Sequence, residues 1–300
     1  MLVVRYSAFF NADIASGNKY FELVISLMTV NKFLQPYVDL KVIIYTTQSY
    51  KKSFEVLLEK YSFSYEVWAL DAMHPQFWNN SVEFSKSLNN LTEIDRICTV
   101  RMLSDFYLLD KNAYRLLIGA DVYFLGIPDE VLGFVWSGSA EKKEKILYMR
   151  DMYTFGGFEY RIRHWAGEHL SGLLGDFYCL APEVTLDVSA VQGCLRMIDS
   201  WPVVPSRYDP APPCNLSGVT TPEQQAASLL LAPFGGKKLP ANRYSHYQYF
   251  PELVVLHSHT LAFPLTHLGD EFVREFVSII GVEPNGGQFP GVQEPTLSGQ

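Results

Sequence analysis

Residues 114–130 read YRLLIGADVYFLGIPDE, and the fold turns on how this stretch is taken. The apolar run Leu116-Leu117-Ile118 has the composition of a buried strand. It ends at Gly119-Ala120-Asp121. A second short apolar run, Val122–Leu125, follows before Gly126 and Pro128 punctuate the chain. One carboxylate therefore stands at the exit of a buried strand, behind small residues. In open α/β sheets, ligands collect outside the carboxyl ends of the strands. An Asp there can hold a divalent cation on a phosphorylated ligand, because hard cations take oxygen ligands. It can equally cap a turn.

Working towards the N-terminus, Thr92–Leu109 has helical spacing, with Thr92 and Asp95 placed as a capping pair. Before it, Leu2–Tyr6 reads as a strand, Tyr20–Leu34 as a helix and Val38–Thr46 as a buried strand. Tyr50–Tyr61 reads as an amphipathic helix and Tyr65–Leu70 as a strand. That alternation predicts a parallel sheet with right-handed crossovers. Towards the C-terminus, Ile146–Met149 and Leu174–Leu180 read as strands and Asp151–His169 as an aromatic, Arg-rich loop or hairpin. Val184–Trp201 and Pro222–Leu231 read as helices, the second opened by Pro222 with Glu223 in its first turn. Leu253–Leu256 is a buried strand ending at His257, and Gly269–Ile280 is a last helix. No repeat or linker separates two cores, so a single α/β domain over 1–280 is expected. The Gly/Pro-rich tail 281–300 has the composition of a disordered segment.

Of the 300 residues, 48% are hydrophobic and 19% charged, enough to bury a large core. The net charge of -8, with no Lys/Arg-rich block, argues against a nucleic-acid partner. Cys98, Cys179, Cys194 and Cys214 form no C-x-x-C pair, which argues against a zinc site of that kind. With no secretory-type start and no window long enough to span a bilayer, the setting expected is cytoplasmic and reducing. Asn79, Asn90 and Asn215 begin N-x-S/T triplets, which matter only in a secreted chain.

Taken in order, these pieces resemble a nucleotide-sugar-dependent glycosyltransferase of the GT-A fold, in the glycogenin and bacterial lipopolysaccharide glucosyl- and galactosyltransferase group. In that group an Arg-Leu-containing helix precedes a strand ending in Asp-x-Asp. Arg101-Met102-Leu103 and Gly119-Ala120-Asp121 are similar to these. Gly175-Asp176-Phe177 and the helix after it match the next strand and helix in position. Glu223-Gln224 resembles the acidic-Gln pair that opens a helix. Leu239-Pro240 and Tyr244 match a Leu-Pro and a Tyr, and LVVLH ending at His257 is similar to the strand that ends in a metal-binding His. The likeness runs from about residue 2 to residue 270. Two departures stand out. Gly119 replaces the first Asp, and His257-Ser258-His259-Thr260-Leu261 lacks the Gly-x-x-Lys-Pro-Trp stretch.

The resemblance implies a hexosyltransferase acting on a nucleotide-diphosphate donor, UDP-linked by preference, and a glycan or other hydroxyl acceptor. It implies Mn2+ or Mg2+ on Asp121 and on His257 or His259, of which only one can point inward along an extended segment. Donor contacts are expected from Tyr6, Ser7, Asp13, Arg101, Asp105, Gly119, Ala120 and Asp121. Arg101 could instead pair with Asp105 at i+4. Glu223, Gln224 and Asp176 are the candidates for the reactive centre: an inverting enzyme would use Glu223 or Asp176 as base, a retaining one would set Gln224 on the sugar face. Tyr153, Trp165 and Trp201 could stack on the acceptor, though packing is the commoner fate of such residues. Two rivals remain. One is a catalytically inactive nucleotide- or sugar-binding module, since Gly119 stands where an acid is expected. The other is a sugar-phosphate nucleotidyltransferase, whose Gly-rich basic stretch is reduced here to Gly17 and Lys19.

Overall fold

A computed structural model describes residues 1–9, 18–89, 91–138, 143–151, 168–201, 222–246, 248–258 and 262–280. The chain begins as expected: β1 (Leu2–Ser7), α1 (Asn18–Phe33), β2 (Leu40–Thr46), α2 (Gln48–Leu58) and β3 (Ser64–Ala69). It continues with α3 (Leu70–Met73), α4 (Pro75–Lys86), α5 (Glu93–Tyr107), β4 (Tyr114–Ile118), β5 (Val122–Phe124) and α6 (Asp129–Trp136). Then come β6 (Ile146–Arg150), β7 (Leu173–Leu180), α7 (Val188–Asp199), α8 (Pro222–Leu231), β8 (Gly236–Lys238), β9 (Tyr244–His246), β10 (Val255–His257) and α9 (Ala262–Ile280).

The main sheet has seven strands in the order β3-β2-β1-β4-β7-β6-β8. β1 pairs in parallel with β2, Leu2 opposite Leu40, and with β4, Leu2 opposite Tyr114. β7 runs antiparallel between β4 and β6. The sheet is thus mostly parallel, and its central strands are buried on both faces: every residue of β4 is buried, Arg115 included. Such continuous burial is what a sheet covered by helices on both sides demands. The chain steps outward from β1 to β3, then returns past β1 to form β4. Right-handed crossovers in opposite directions put their helices on opposite faces. The reversal lies between β1 and β4, where the carboxyl ends of neighbouring strands diverge into a crevice.

A separate three-stranded sheet, β5-β10-β9, extends β4's line of travel. β10 is antiparallel to β5, with His257 opposite Val122, and parallel to β9, with His257 opposite His246. This sheet joins residues that the sequence holds far apart.

Several elements depart from the reading by periodicity. α4 and α6 were not legible, and the last helix begins earlier, at Ala262, breaking at Gly269 where φ is 83°. α4 hides because its buried face is partly Ser81 and Ser85 rather than hydrocarbon. Cys98, Cys179 and Cys194 are free thiols. No helix among the described residues is long and apolar enough to cross a membrane.

Candidate active site at the edge of the parallel strands

Asp121 leaves β4 and enters β5. The Ser258 backbone N–H donates to the Asp121 carbonyl (3.0 Å), which continues the β5–β10 pairing by one step. That register sets His257 Nε2 3.2 Å from Asp121 Oδ1. Both side chains are buried. Burial opposes the charged form of His257, but Asp121 beside it outweighs that and lifts His257 above the ordinary imidazole value.

The β9–β10 pairing stacks His246 on His257, with ring centroids 4.5 Å apart. His246 Nδ1 lies 3.1 Å from Asp151 Oδ1. Burial holds His246 below its ordinary value, Asp151 notwithstanding. Gln224 Nε2 donates to Asp151 Oδ2 (2.7 Å), and Gln224 Oε1 accepts from the Gly175 backbone N–H (3.1 Å). A Cβ at Gly175 would lie 3.2 Å from Gln224 Oε1, so a side chain there would crowd the Gln224 amide. A continuous polar row therefore runs from Asp121 through two imidazoles and Asp151 to the first turn of α8.

A second group faces this row from α5 and β7. Arg101 Nη1 donates to Asp176 Oδ1 (2.6 Å), and Arg101 Nη2 lies 3.9 Å from Glu223 Oε1. Burial alone would raise the Asp176 carboxyl, but Arg101 holds it below the usual range, so it stays ionised. Burial pushes Glu223 up to about 7, against the pull of Arg101. Glu223 Oε2 is buried with no hydrogen-bond partner among the described residues. The Asp176 side chain is 33% exposed and that of Glu223 8%, so Asp176 is the more accessible acid.

Gly119 lies between the two groups. Its N–H donates to the Asp176 carbonyl (3.0 Å). A Cβ at 119 would meet Asp121 Oδ1 at 2.6 Å and Asp176 Cβ at 3.2 Å. The space directly over Gly119 is occupied by the side chains of Asp121 and Asp176.

Of the residues nominated from sequence, Arg101, Asp121, Asp176, Glu223, Gln224 and His257 come together here, with Gly119 and Ala120 in the turn between them. Asp105 does not join them: it is buried against Arg5, accepting from Nε (2.7 Å) and Nη2 (2.6 Å). The Arg101–Asp105 pairing along the helix is accordingly replaced by Arg101–Asp176. Tyr6 is fully buried with its hydroxyl 2.7 Å from Ser26 Oγ, because inward positions of β1 pack under α1. Trp201 is buried in the core. Ser7 ends β1, opposite Tyr45. Asp13, Tyr153, Trp165 and His259 lie outside the described residues.

Sequence reasoning missed Lys19, Glu22, Asp151 and His246. Asp151 carries the same signal as Asp121, an acid directly after a buried strand. His246 carries none, since a three-residue strand has too little pattern to read.

The expected divalent ion can be tested against this donor set. Among the described residues no group of three His, Cys, Asp or Glu side chains could hold a metal ion. Asp121 and His257 are the two of the expected ligands that meet, and Asp121 Oδ2 is engaged by Lys19 Nζ at 3.2 Å. A divalent ion held by two such donors would take its remaining oxygens from water and from the phosphates of a bound ligand.

No family model matches the sequence, and no curated protein matches it. Solved structures do match in shape. Mouse xyloside xylosyltransferase 1, in its apo form, superposes with a TM-score of 0.56 at 9% identity, covering 86% of this chain and 96% of that one. The galactosyltransferase LgtC, in complex with donor and acceptor sugar analogs, gives 0.55 at 11% identity, covering 93% and 95%. An active-site mutant of LgtC gives 0.56 at 10% identity with the same coverage, 93% and 95%. The chain thus has the α/β fold of these GT-A glycosyltransferases over 86–93% of its length.

Proposed function

We infer that the protein is a glycosyltransferase that moves a hexose from a UDP-linked or similar nucleotide-diphosphate donor to a glycan or other hydroxyl acceptor. The observation that supports this most is the convergence of Asp121, His257, Arg101 and Asp176 around the carboxyl end of β4, with Asp176 coming from the neighbouring β7. Glycosyl transfer needs two things of a protein. It must steady the departing diphosphate, and it must stabilise the positive charge that develops on the sugar ring. Asp176, ionised by Arg101 and partly open to solvent, suits the second task. Gln224, locked by Asp151 and Gly175, fixes the floor beneath it. Glu223, with its proton held to near neutrality, can exchange one with the acceptor hydroxyl. A divalent ion bound there would be held by Asp121 and His257 and would supply a counter-charge to the leaving diphosphate.

A second reading is favoured by Gly119: a module that binds the nucleotide sugar without turning it over. Hydrolysis of a panel of UDP-sugars, with Mn2+ supplied, separates the two. The transferase reading expects slow donor hydrolysis that falls at least ~100-fold in Asp121→Ala and in Asp176→Asn, both folded by circular dichroism. Tight UDP-sugar binding with no turnover would select the module. No binding of any nucleotide sugar would end both.

A further inference from the structure

Where the start of α4 meets the end of α5 and the first half of α7, the surface opens into a cavity of 620 Å³. That volume falls within the range of small-molecule sites. Aromatic rings, amides and a hydroxyl line it: Gln76, Phe77, Asn80, Ser81, Tyr107 and Gln192. No Asp, Glu, Lys or Arg among the described residues does. None of the lining residues belongs to the candidate active site. Tyr107 follows Arg101 by six positions, about 9 Å along the axis of α5. The Phe77 and Tyr107 rings lie face to face, with centroids 4.7 Å apart and planes 5° from parallel. Phe77 is half-buried and Tyr107 is exposed, so the pair presents an anchored aromatic surface. Ser81 is 3% exposed and lines the cavity, yet its hydroxyl has no hydrogen-bond partner among the described residues. A helical serine commonly returns its hydroxyl to a carbonyl of the preceding turn, as Ser85 does to Val82 (2.8 Å). The amides of Gln76, Asn80 and Gln192 likewise make no side-chain hydrogen bond among the described residues.

We propose that this cavity is a binding site for a neutral glycan chain, separate from the candidate active site. A sugar ring has an apolar face of C–H groups and a rim of hydroxyls. The stacked pair takes the face, since a tyrosine offers a large, rigid contact at low entropic cost. The rim needs groups that both donate and accept, because every hydroxyl does both. Each amide carries an acceptor and two donors, and the Ser81 hydroxyl carries both roles on one atom. Bound sugar would also give the buried Ser81 hydroxyl the partner it lacks. The absence of fixed charge disfavours phosphates and carboxylates, whose anions would find no cation here. The choice of a glycan among neutral polyhydroxyl ligands rests on the glycosyltransferase reading, in which the acceptor has this same chemistry. A chain held at the cavity stays tethered to the enzyme, which raises its effective concentration at the reacting end.

The test is calorimetry on the full chain with maltohexaose, cellohexaose, xylohexaose and galactohexaose, for the wild type, Tyr107→Ala, Asn80→Ala and Asp176→Asn. Hydrolysis of UDP-sugars is measured on the same proteins. At least one hexasaccharide is expected to bind the wild type. Tyr107→Ala should weaken that binding by at least ~10-fold, because the stacking surface is lost. Asn80→Ala should weaken it about 5-fold, through a lost hydrogen bond. Both variants should leave donor hydrolysis unchanged, while Asp176→Asn should leave glycan affinity unchanged. If no hexasaccharide binds, or if Tyr107→Ala binds as the wild type does, the proposal is overturned, and donor hydrolysis in the same proteins keeps the transferase reading intact. Binding lost in Asp176→Asn but kept in Tyr107→Ala places the glycan in the crevice and overturns it too. Glycan binding that depends on Tyr107, with no donor hydrolysis, upholds the cavity and removes the transferase reading. Thermal melts report whether each variant folds. Should Tyr107→Ala fail to fold, Asn80→Ala decides.

Discussion

Glu223 is 6% exposed and reaches the nearest guanidinium only at 3.9 Å. Its proton is held up to about 7 by burial, against about 4.3 in an unfolded chain. The folded state thus binds the proton more tightly, and stability falls as pH rises from about 4.3 towards 7. Relative to Glu223→Gln, the wild type should lose roughly 3 kcal/mol of stability across that window and change little above it. Urea unfolding of both proteins at pH 4.5, 6 and 8 measures this, and a constant difference would show that Glu223 is ionised throughout. At this scale the sequence was partly legible. Asp121, Glu223 and His257 sit at ends of elements, where an acid or imidazole stands out against an apolar run. Asp151 and His246 owe their roles to pairings across about 100 positions of chain, and no local pattern encodes those.

Among the elements, α5 carries Arg101 and begins with a reciprocal side-chain cap. Thr92 Oγ1 accepts from the Asp95 N–H (3.2 Å), and Asp95 Oδ2 accepts from the Thr92 N–H (2.9 Å). The reciprocal pair satisfies two of the donors that every helix start leaves open. Thr92→Ala should cost about 1 kcal/mol in chemical denaturation while leaving UDP affinity unchanged. A drop in affinity would mean that the cap positions Arg101 as well as the helix. This cap was readable because its two residues are three apart. The alternating β and α pattern of the first 70 residues was readable too, since long apolar runs in β1 and β2 have only one stable destination. α4 and α6 were not. Serines line part of the buried face of α4, and α6 spans only eight residues.

Across the whole molecule, one buried ion pair ties the two directions of the sheet together. Arg5 on β1 and Asp105 on α5 have side chains each 1% exposed, with Arg5 Nη2 and Asp105 Oδ2 2.6 Å apart. Arg5→Met should cost roughly 3–5 kcal/mol, because Asp105 would stay buried without its guanidinium. Arg5→Met with Asp105→Leu should recover most of that loss in the same denaturation assay, and a double variant as unstable as the single one would refute the account. The core sheet and its covering helices are long-range but sequentially ordered, which is why their architecture could be read while the small sheet could not. The placement of β10 has one more consequence. Strands 1 to 4 and 6 to 8 are in hand once residue 238 has been made, yet β5 waits for residues 255–257 to become its neighbour. Domains gather from the N-terminus as the ribosome extends them. A nascent chain released between those two points would hold the strands of the main sheet and lack the imidazole that stands beside Asp121.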